Sequence, residues 1–285
     1  LSNRISILTL AACLLISFEA YCGWPTRPRR LVVSPTLSFF HSTSDWDRNG
    51  NSIRRENNGS FNSTSFSLYS EYGLSRRFAV TASIPYINYS LKDAVYGTNS
   101  VSGLGDLEAG LKYYLANIAY KYYFTLQGTV ILPLYSSSKP LGYAQNGGEL
   151  RLGFSGAGKL GSKFYSLSLE NGVRQYFGTD GPIQDRYSAS FGITLDRKFR
   201  DQLTLGASGL ISASSIKAYT QNIYTTRDFS YTQVSLSYGH SFNTKTALFL
   251  SAGQFVTGRN TGIGTTGTVS LIFKLDNVFD RKLNY

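Results

Sequence analysis

The residues of this chain that could do chemistry are few, and the densest group is GLGDLEAGLKYYL, Gly103 to Leu115. Its glycines, its acids Asp106 and Glu108 and its base Lys112 allow a phosphate cradle, an acid–base pair or a charged lining. The phosphate readings fail on spacing. A dinucleotide fingerprint that starts at Gly103 and Gly105 needs a third glycine where Glu108 stands. Gly105 and Gly110 are spaced as in a P-loop, but Leu111 occupies the lysine position, and two carboxylates would repel a phosphate. Catalysis fares no better. A nucleophile needs a base within hydrogen-bond reach, and the chain has only His41 and His240. These fall near opposite ends of different candidate strands, so no catalytic residues are expected. Trp46 to Asn51 (WDRNGN) carries calcium-loop residue types but lacks the glutamate at the twelfth position, and reads as a polar loop. Both cysteines, Cys13 and Cys22, lie in the first 22 residues, so the rest of the chain has no thiol for a disulfide or a metal. Neither a metal site nor a cofactor is expected.

Those first 22 residues read as an export signal. Arg4 supplies the positive start, Ile5 to Phe18 the apolar core, and Ala20-Tyr21-Cys22 the small residues of a cleavage site. The expected division is 1–22 signal peptide and 23–285 exported domain. No later segment reaches 18 consecutive apolar residues, so any membrane crossing must be made by strands.

What element holds Asp106, Glu108 and Lys112? Leu104, Leu107, Leu111 and Leu115 have helical spacing, whereas Leu107, Ala109, Leu111, Tyr113 and Leu115 alternate as in a strand. Three glycines inside one helix would each cost about 1 kcal/mol relative to alanine. The strand is the better reading, and it puts the three charges on one face.

The rest of the chain repeats that pattern. Twelve alternating runs are readable: 31–41, 62–74, 77–89, 104–116, 120–134, 149–160, 163–176, 186–197, 202–214, 229–240, 245–256 and 265–275. Each has about the length of a tilted membrane strand, roughly 9–11 residues or slightly more. Phe78, Val80, Ala82, Ile84 and Tyr86 oppose Arg77, Ala79, Thr81 and Ser83; Tyr187, Ala189, Phe191, Ile193 and Leu195 oppose Ser188, Ser190 and Thr194. In 229–240, Phe229 and Tyr231 fall out of phase with Val234, Leu236 and Tyr238, as a bulge or an inward aromatic would cause. The intervening segments alternate long (42–61, 90–103, 135–148, 177–185, 215–228, 257–264) and short (75–76, 117–119, 161–162, 198–201, 241–244). Long outer loops and short periplasmic turns are the mark of a membrane barrel. Because lipid leaves no unpaired backbone group unpunished, the sheet must close. The expected fold is all-β, a twelve-stranded transmembrane antiparallel up-and-down β-barrel with a tight or partly plugged lumen.

Composition agrees. Charged residues are only 16% of the chain and aromatic residues 14%, a balance for a wall whose faces are not both in water. The formal charge of +11 is scattered along turns and strands, which fits anionic lipid head groups and not a nucleic-acid footprint.

Gly103-Leu-Gly-Asp106-Leu-Glu-Ala-Gly-Leu-Lys112-Tyr-Tyr-Leu resembles the G-x-G-D-x-x-x-G-x-K-Y segment of the outer-membrane family labelled as the MetA pathway of phenol degradation. Val130-Ile-Leu-Pro133, a long loop and Gly148-Glu-Leu-Arg-Leu-Gly153 extend the likeness; Pro133-Leu-Tyr135 departs from the family's Pro-Thr-Gly. The motif covers residues 103–153 and strand order most of the remainder. The resemblance implies a channel or transporter barrel, loosely akin to barrels for uptake of hydrophobic compounds.

Alternation points Asp106, Glu108 and Lys112 inward, with Glu71, Arg77, Glu149, Arg151, Glu170, Arg174 and Lys274. Such charges either guide solutes or pair across strands and stiffen the wall. Projected hairpins set Glu108 beside Pro85 and Gln127, and Lys112 beside Thr81 and Tyr123, all of inward parity. Tyr86, Tyr113, Tyr120, Tyr122, Tyr165, Tyr187 and Tyr238, near strand ends, are expected in interfacial girdles. The functional expectation is passive or gated uptake of small hydrophobic or aromatic solutes across a bacterial outer membrane, with both termini periplasmic. Its partners would be the bilayer, anionic outer-leaflet lipid, the barrel-assembly machinery during insertion and the solute. A phospholipase-type enzyme and an adhesin or structural barrel acting through its loops are the alternatives.

Overall fold

The structure, a computed structural model, describes residues 25–93, 97–196 and 198–279. The expected export signal at 1–22 lies outside the described residues. In chain order the strands are β1 (Arg30–Trp46), β2 (Ser52–Arg54), β3 (Ser60–Gly73), β4 (Phe78–Asp93), β5 (Gly97–Leu104), β6 (Asp106–Ile118), β7 (Tyr122–Pro133), β8 (Gly147–Leu160), β9 (Lys163–Tyr176), β10 (Ile183–Thr194), β11 (Asp201–Ala213), β12 (Phe229–Ser241), β13 (Thr246–Arg259) and β14 (Thr261–Asp276). Every neighbouring pair is antiparallel, and β14 returns to β1 from Arg30↔Asp276 to Trp46↔Thr261, so the sheet closes on itself. The short β2 folds back on the end of β1, and β5 and β6 are two halves of one stave beside β4. The wall therefore has twelve staves, as the alternation predicts.

The two faces differ as lipid and lumen require. Phe39, Phe66, Val80, Val130, Leu152, Phe191, Leu205, Leu236 and Val269 are exposed on the outside. Their neighbours along each strand, such as Ser34, Thr36, Ser63, Thr81, Thr129, Ser190, Thr204 and Ser235, are buried inside.

Two expectations need correction. Glu108 pairs with Ser83 and Ile131, and Lys112 with Ala79 and Gln127. The projected registers were off by two and four residues. Even slips preserve which face a side chain occupies, so the charges still point inward. Next, two of the long connections are not loops. β4 runs on to Asp93 and β5 begins at Gly97, and only Asn260 separates β13 from β14. The stretch GTNSVSGL of β5 has only two apolar side chains, Val101 against the buried aromatic cluster and Leu104 exposed beside Tyr86, so its alternation is too sparse to read from sequence. The phase break in 229–240 has the inward-aromatic cause: Phe229 and Tyr231 share the inward face of β12, and the extra residue at the Thr232–Gln233 step, Val256, belongs to β13.

The break between β5 and β6 has a local cause. Pro85 lies inside β4 and has no N–H to give the next strand. Opposite it, the stave carries one extra residue around Gly105, whose own N–H donates to Pro85 O at 2.8 Å. A Cβ on Gly105 would stand 2.9 Å from the Pro85 ring, so only glycine lets the strands approach here.

Candidate functional site

A cavity of about 790 Å³ opens at the end of the barrel that carries the short turns. Inward side chains of nearly every stave line it, and the segment before β1 enters its mouth. Arg29 N–H donates to Gly73 O at 2.7 Å, and Thr26 hydroxyl to Glu71 Oε1 at 2.5 Å. A Cβ on Gly73 would overlap the Thr26 and Arg27 carbonyls, so that glycine makes room for the segment.

The buried acids of the wall are held by bases. Glu71 on β3 receives Lys112 Nζ from β6 at 2.6 Å, across the intervening β4, and the hydroxyls of Thr26, Tyr69 and Tyr114. Glu149 on β8, its side chain 1% exposed, is the hub of a second group. It accepts from Arg174 Nε at 2.6 Å, Arg151 Nη2 at 2.5 Å and Arg186 Nη1 at 3.4 Å. Arg174 also gives Nη2 to Glu108 at 2.6 Å, which joins β9 to β6 over the two strands between them. Arg151 reaches Glu170 at 3.3 Å. Such a group keeps buried charge tolerable only because each acid has its partner.

Seven of the ten charged residues named from the sequence thus meet in these two groups. Of the other three, Asp106 sits inside beneath the 134–146 loop and takes a 3.5 Å contact from the Tyr176 hydroxyl. Lys274 lines the mouth of the cavity. Arg77 departs from expectation: it lies exposed in the turn before β4 and bonds the Tyr113 hydroxyl at 3.4 Å. The strand begins one residue later than the run suggested, so Arg77 belongs to the turn and parity does not assign its face.

Arg186, Arg27, Arg30 and Lys245 escaped the sequence reading although all line the cavity. Arg186 has the parity of Ser188 and was legible; the others stand at turns and strand ends, where no alternation assigns a face.

Among the tyrosines, Tyr113 packs on Phe78 with centroids 4.8 Å apart, and Tyr122 bonds Tyr165 through their hydroxyls at 2.8 Å. Tyr120 is exposed in the turn before β7, and Tyr238 reaches Asp201 at 2.6 Å. These five stand towards the short-turn end; Tyr86 and Tyr187 stand nearer the loops, the latter bonded to Thr232 at 2.7 Å.

At the loop end the lumen is filled. Phe61 and Tyr89 stack inside the wall with centroids 5.4 Å apart, Tyr224 joins them from the 214–228 loop, and Tyr231 stacks on Phe255 at 4.4 Å. Asn222 holds the loop down, its Nδ2 donating to Tyr89 Oη at 2.9 Å and to Pro140 O at 3.0 Å. Tyr143 hydroxyl ties the 134–146 loop to Thr226 O at 2.8 Å, and burial pushes that hydroxyl's pKa up. Asp228 anchors the far end, accepting from Arg259 at 2.8 Å and Lys217 at 3.2 Å. The Arg259 hydrogen bond first, then that of Lys217, holds its carboxyl below the ordinary 3.8. Phe40 has the parity of Ser34 and Thr36 and faces this cluster, while its neighbour Phe39 faces lipid.

His41 bonds Asn62 at the loop end, while His240 bonds Asp201 at the short-turn end, so the two histidines share no site. In the loop read as polar, the Asp47 carboxylate accepts the N–H groups of Asn49 and Asn51, which folds it as an Asx turn.

Among solved structures the chain is similar to an outer-membrane channel from Pseudomonas putida F1, at a TM-score of 0.68 and 13% identity, covering 91% of this chain and 100% of that one. The fold is that of an outer-membrane β-barrel. The translocator domain of the autotransporter NalP from Neisseria meningitidis matches at 0.50 and 11%, over 95% of this chain and 97% of that one. The NanC porin matches at 0.50 and 9%, over 86% and 100%. No family model and no curated protein matches the sequence, so the resemblance to the phenol-degradation family rests on its motif and strand order.

Proposed function

We propose that the protein is an outer-membrane channel for small solutes, gated at its loop end. The observation that carries this reading is the inside of the barrel: a polar, charged cavity open at one end and closed at the other by loops. A purely structural barrel has no need of such a space. The short-turn end holds the start of β1 and the end of β14, Arg30 and Asp276 being paired there, and would face the periplasm. Exposed Arg48, Arg54 and Lys92 at the opposite rim suit anionic outer-leaflet lipid.

Aromatic solutes fit the aromatic layer around Tyr231 and Phe255, and the polar lining below speaks for rings that carry a polar group over plain hydrocarbons. Liposome swelling with small solutes tests the channel. Faster swelling than protein-free vesicles is expected, faster again when residues 216–226 are replaced by a short Gly-Ser linker; folded protein that gives no swelling in either form overturns the reading.

A further inference from the structure

We infer that the lumen cavity binds small organic anions and makes the pore anion-selective, an inference that rests on the channel reading and names its solute class. Seven basic and three acidic side chains line the cavity, a surplus of four positive charges. Arg27, Arg30, Lys245 and Lys274 ring the mouth, and Lys112, Arg151 and Arg186 stand deeper. The three acids, Glu71, Glu108 and Glu170, are each engaged by a base of the wall. Adding Glu149 and Arg174, buried behind the lining, leaves the surplus unchanged. Adding Asp276, which pairs Arg30 at 2.6 Å and lies 3.9 Å from Lys245, lowers it only to three.

Position matters as much as number. Arg186 offers Nη1 to Glu149 and Glu108, and its side chain is still 34% exposed into the cavity. A guanidinium presents a fork of donors, and the remaining edge can receive a carboxylate. Hydroxyl and amide donors of Thr81, Gln127 and Thr129 line the same space. The low-dielectric wall keeps the field of these charges inside the lumen, where it concentrates anions and repels cations. Tyr231, at the roof of the cavity, gives an aromatic ring a surface above the charged zone. An aromatic carboxylate satisfies both layers, and benzoate is the simplest probe.

Two measurements test this on the folded full-length barrel, with the heat-induced mobility shift on a denaturing gel confirming that each variant is folded. In calorimetry in neutral detergent at about 10 mM salt, where screening is weak, benzoate is expected to bind and benzylammonium not. Arg186→Gln should weaken benzoate about tenfold by removing a charge-assisted pair. In a neutral planar bilayer under a potassium chloride gradient, the reversal potential should show chloride preferred over potassium. Lys245→Glu, at the mouth, should lower that preference about threefold by reversing a charge that steers ions. Equal binding of benzoate and benzylammonium, no benzoate binding, or a cation-selective pore would overturn the inference. A folded barrel that binds benzoate without conducting overturns the channel reading and leaves the anion site standing.

Discussion

Glu149 shows what a single residue can demand of its surroundings. Its carboxylate is buried, and it persists as an ion because Arg174, Arg151 and Arg186 converge on it from three positions in the wall. The lumen charges are therefore first a fastening. Removing Arg174 strips a partner from both Glu149 and Glu108, so Arg174→Ala is expected to destabilise the barrel by about 3–5 kcal/mol. Urea unfolding in lipid vesicles, followed by tryptophan fluorescence, measures it. Replacing Glu149 and Arg174 together by leucine should recover most of the loss, since no isolated charge remains and Arg151 and Arg186 keep Glu170 and Glu108. A double variant as unstable as Arg174→Ala would show that the pair holds the wall by something other than charge.

Among the elements, the 214–228 loop is the one that covers the lumen. Tyr224 packs its ring on Phe61 and Tyr89 and bonds Ser63, Asn222 bonds Tyr89 and Pro140, Thr226 bonds Tyr143, and Asp228 accepts from Arg259 on the wall. Asn222→Ala removes two of the bonds that hold it over the lumen. Open probability in single-channel recordings should rise about five- to tenfold, the worth of roughly 1 kcal/mol. The acid response has a definite sign. Asp228 has its carboxyl depressed below 3.8, so its anchoring is complete above about pH 4 and is lost as pH falls through the lower folded value. Conductance is expected to stay level from pH 7 to pH 5 and to climb below pH 4, and Asp228→Asn should be open at both ends of that range. A variant that keeps the acid-induced step would assign it to another group.

For the molecule as a whole, the exposed apolar belt decides the environment. Leu205 is 49% exposed on the outer face. In water, Leu205→Arg would change stability by no more than about 0.5 kcal/mol. In a bilayer it should cost about 2–4 kcal/mol, depending on its depth. Folding free energies in vesicles separate the two, and a cost near zero would place the belt outside lipid. Closure makes a companion prediction: unheated and boiled samples should migrate differently on a denaturing gel, because β1 and β14 are zipped along their whole lengths.

The sequence by itself determined the number of wall staves, the antiparallel order and which face of each strand meets lipid. Alternation with period two is a local property, and a closed sheet in a membrane obeys it strand by strand. It also supplied most of the charged residues that meet inside, because parity alone assigns their face. Parity has no memory of register, so the pairing of Lys112 with Glu71 and of Arg174 with two acids was decided only when the strands slid into place. Leu104 and Leu107, three residues apart in a helix-like step, face the same way because an extra residue at Gly105 bulges opposite Pro85. Which aromatics plug the lumen, and which loops fold over it, depended on contacts between segments far apart in the chain, such as Asn222 and Tyr89. Local alternation builds the wall; only long-range contacts decide what fills it.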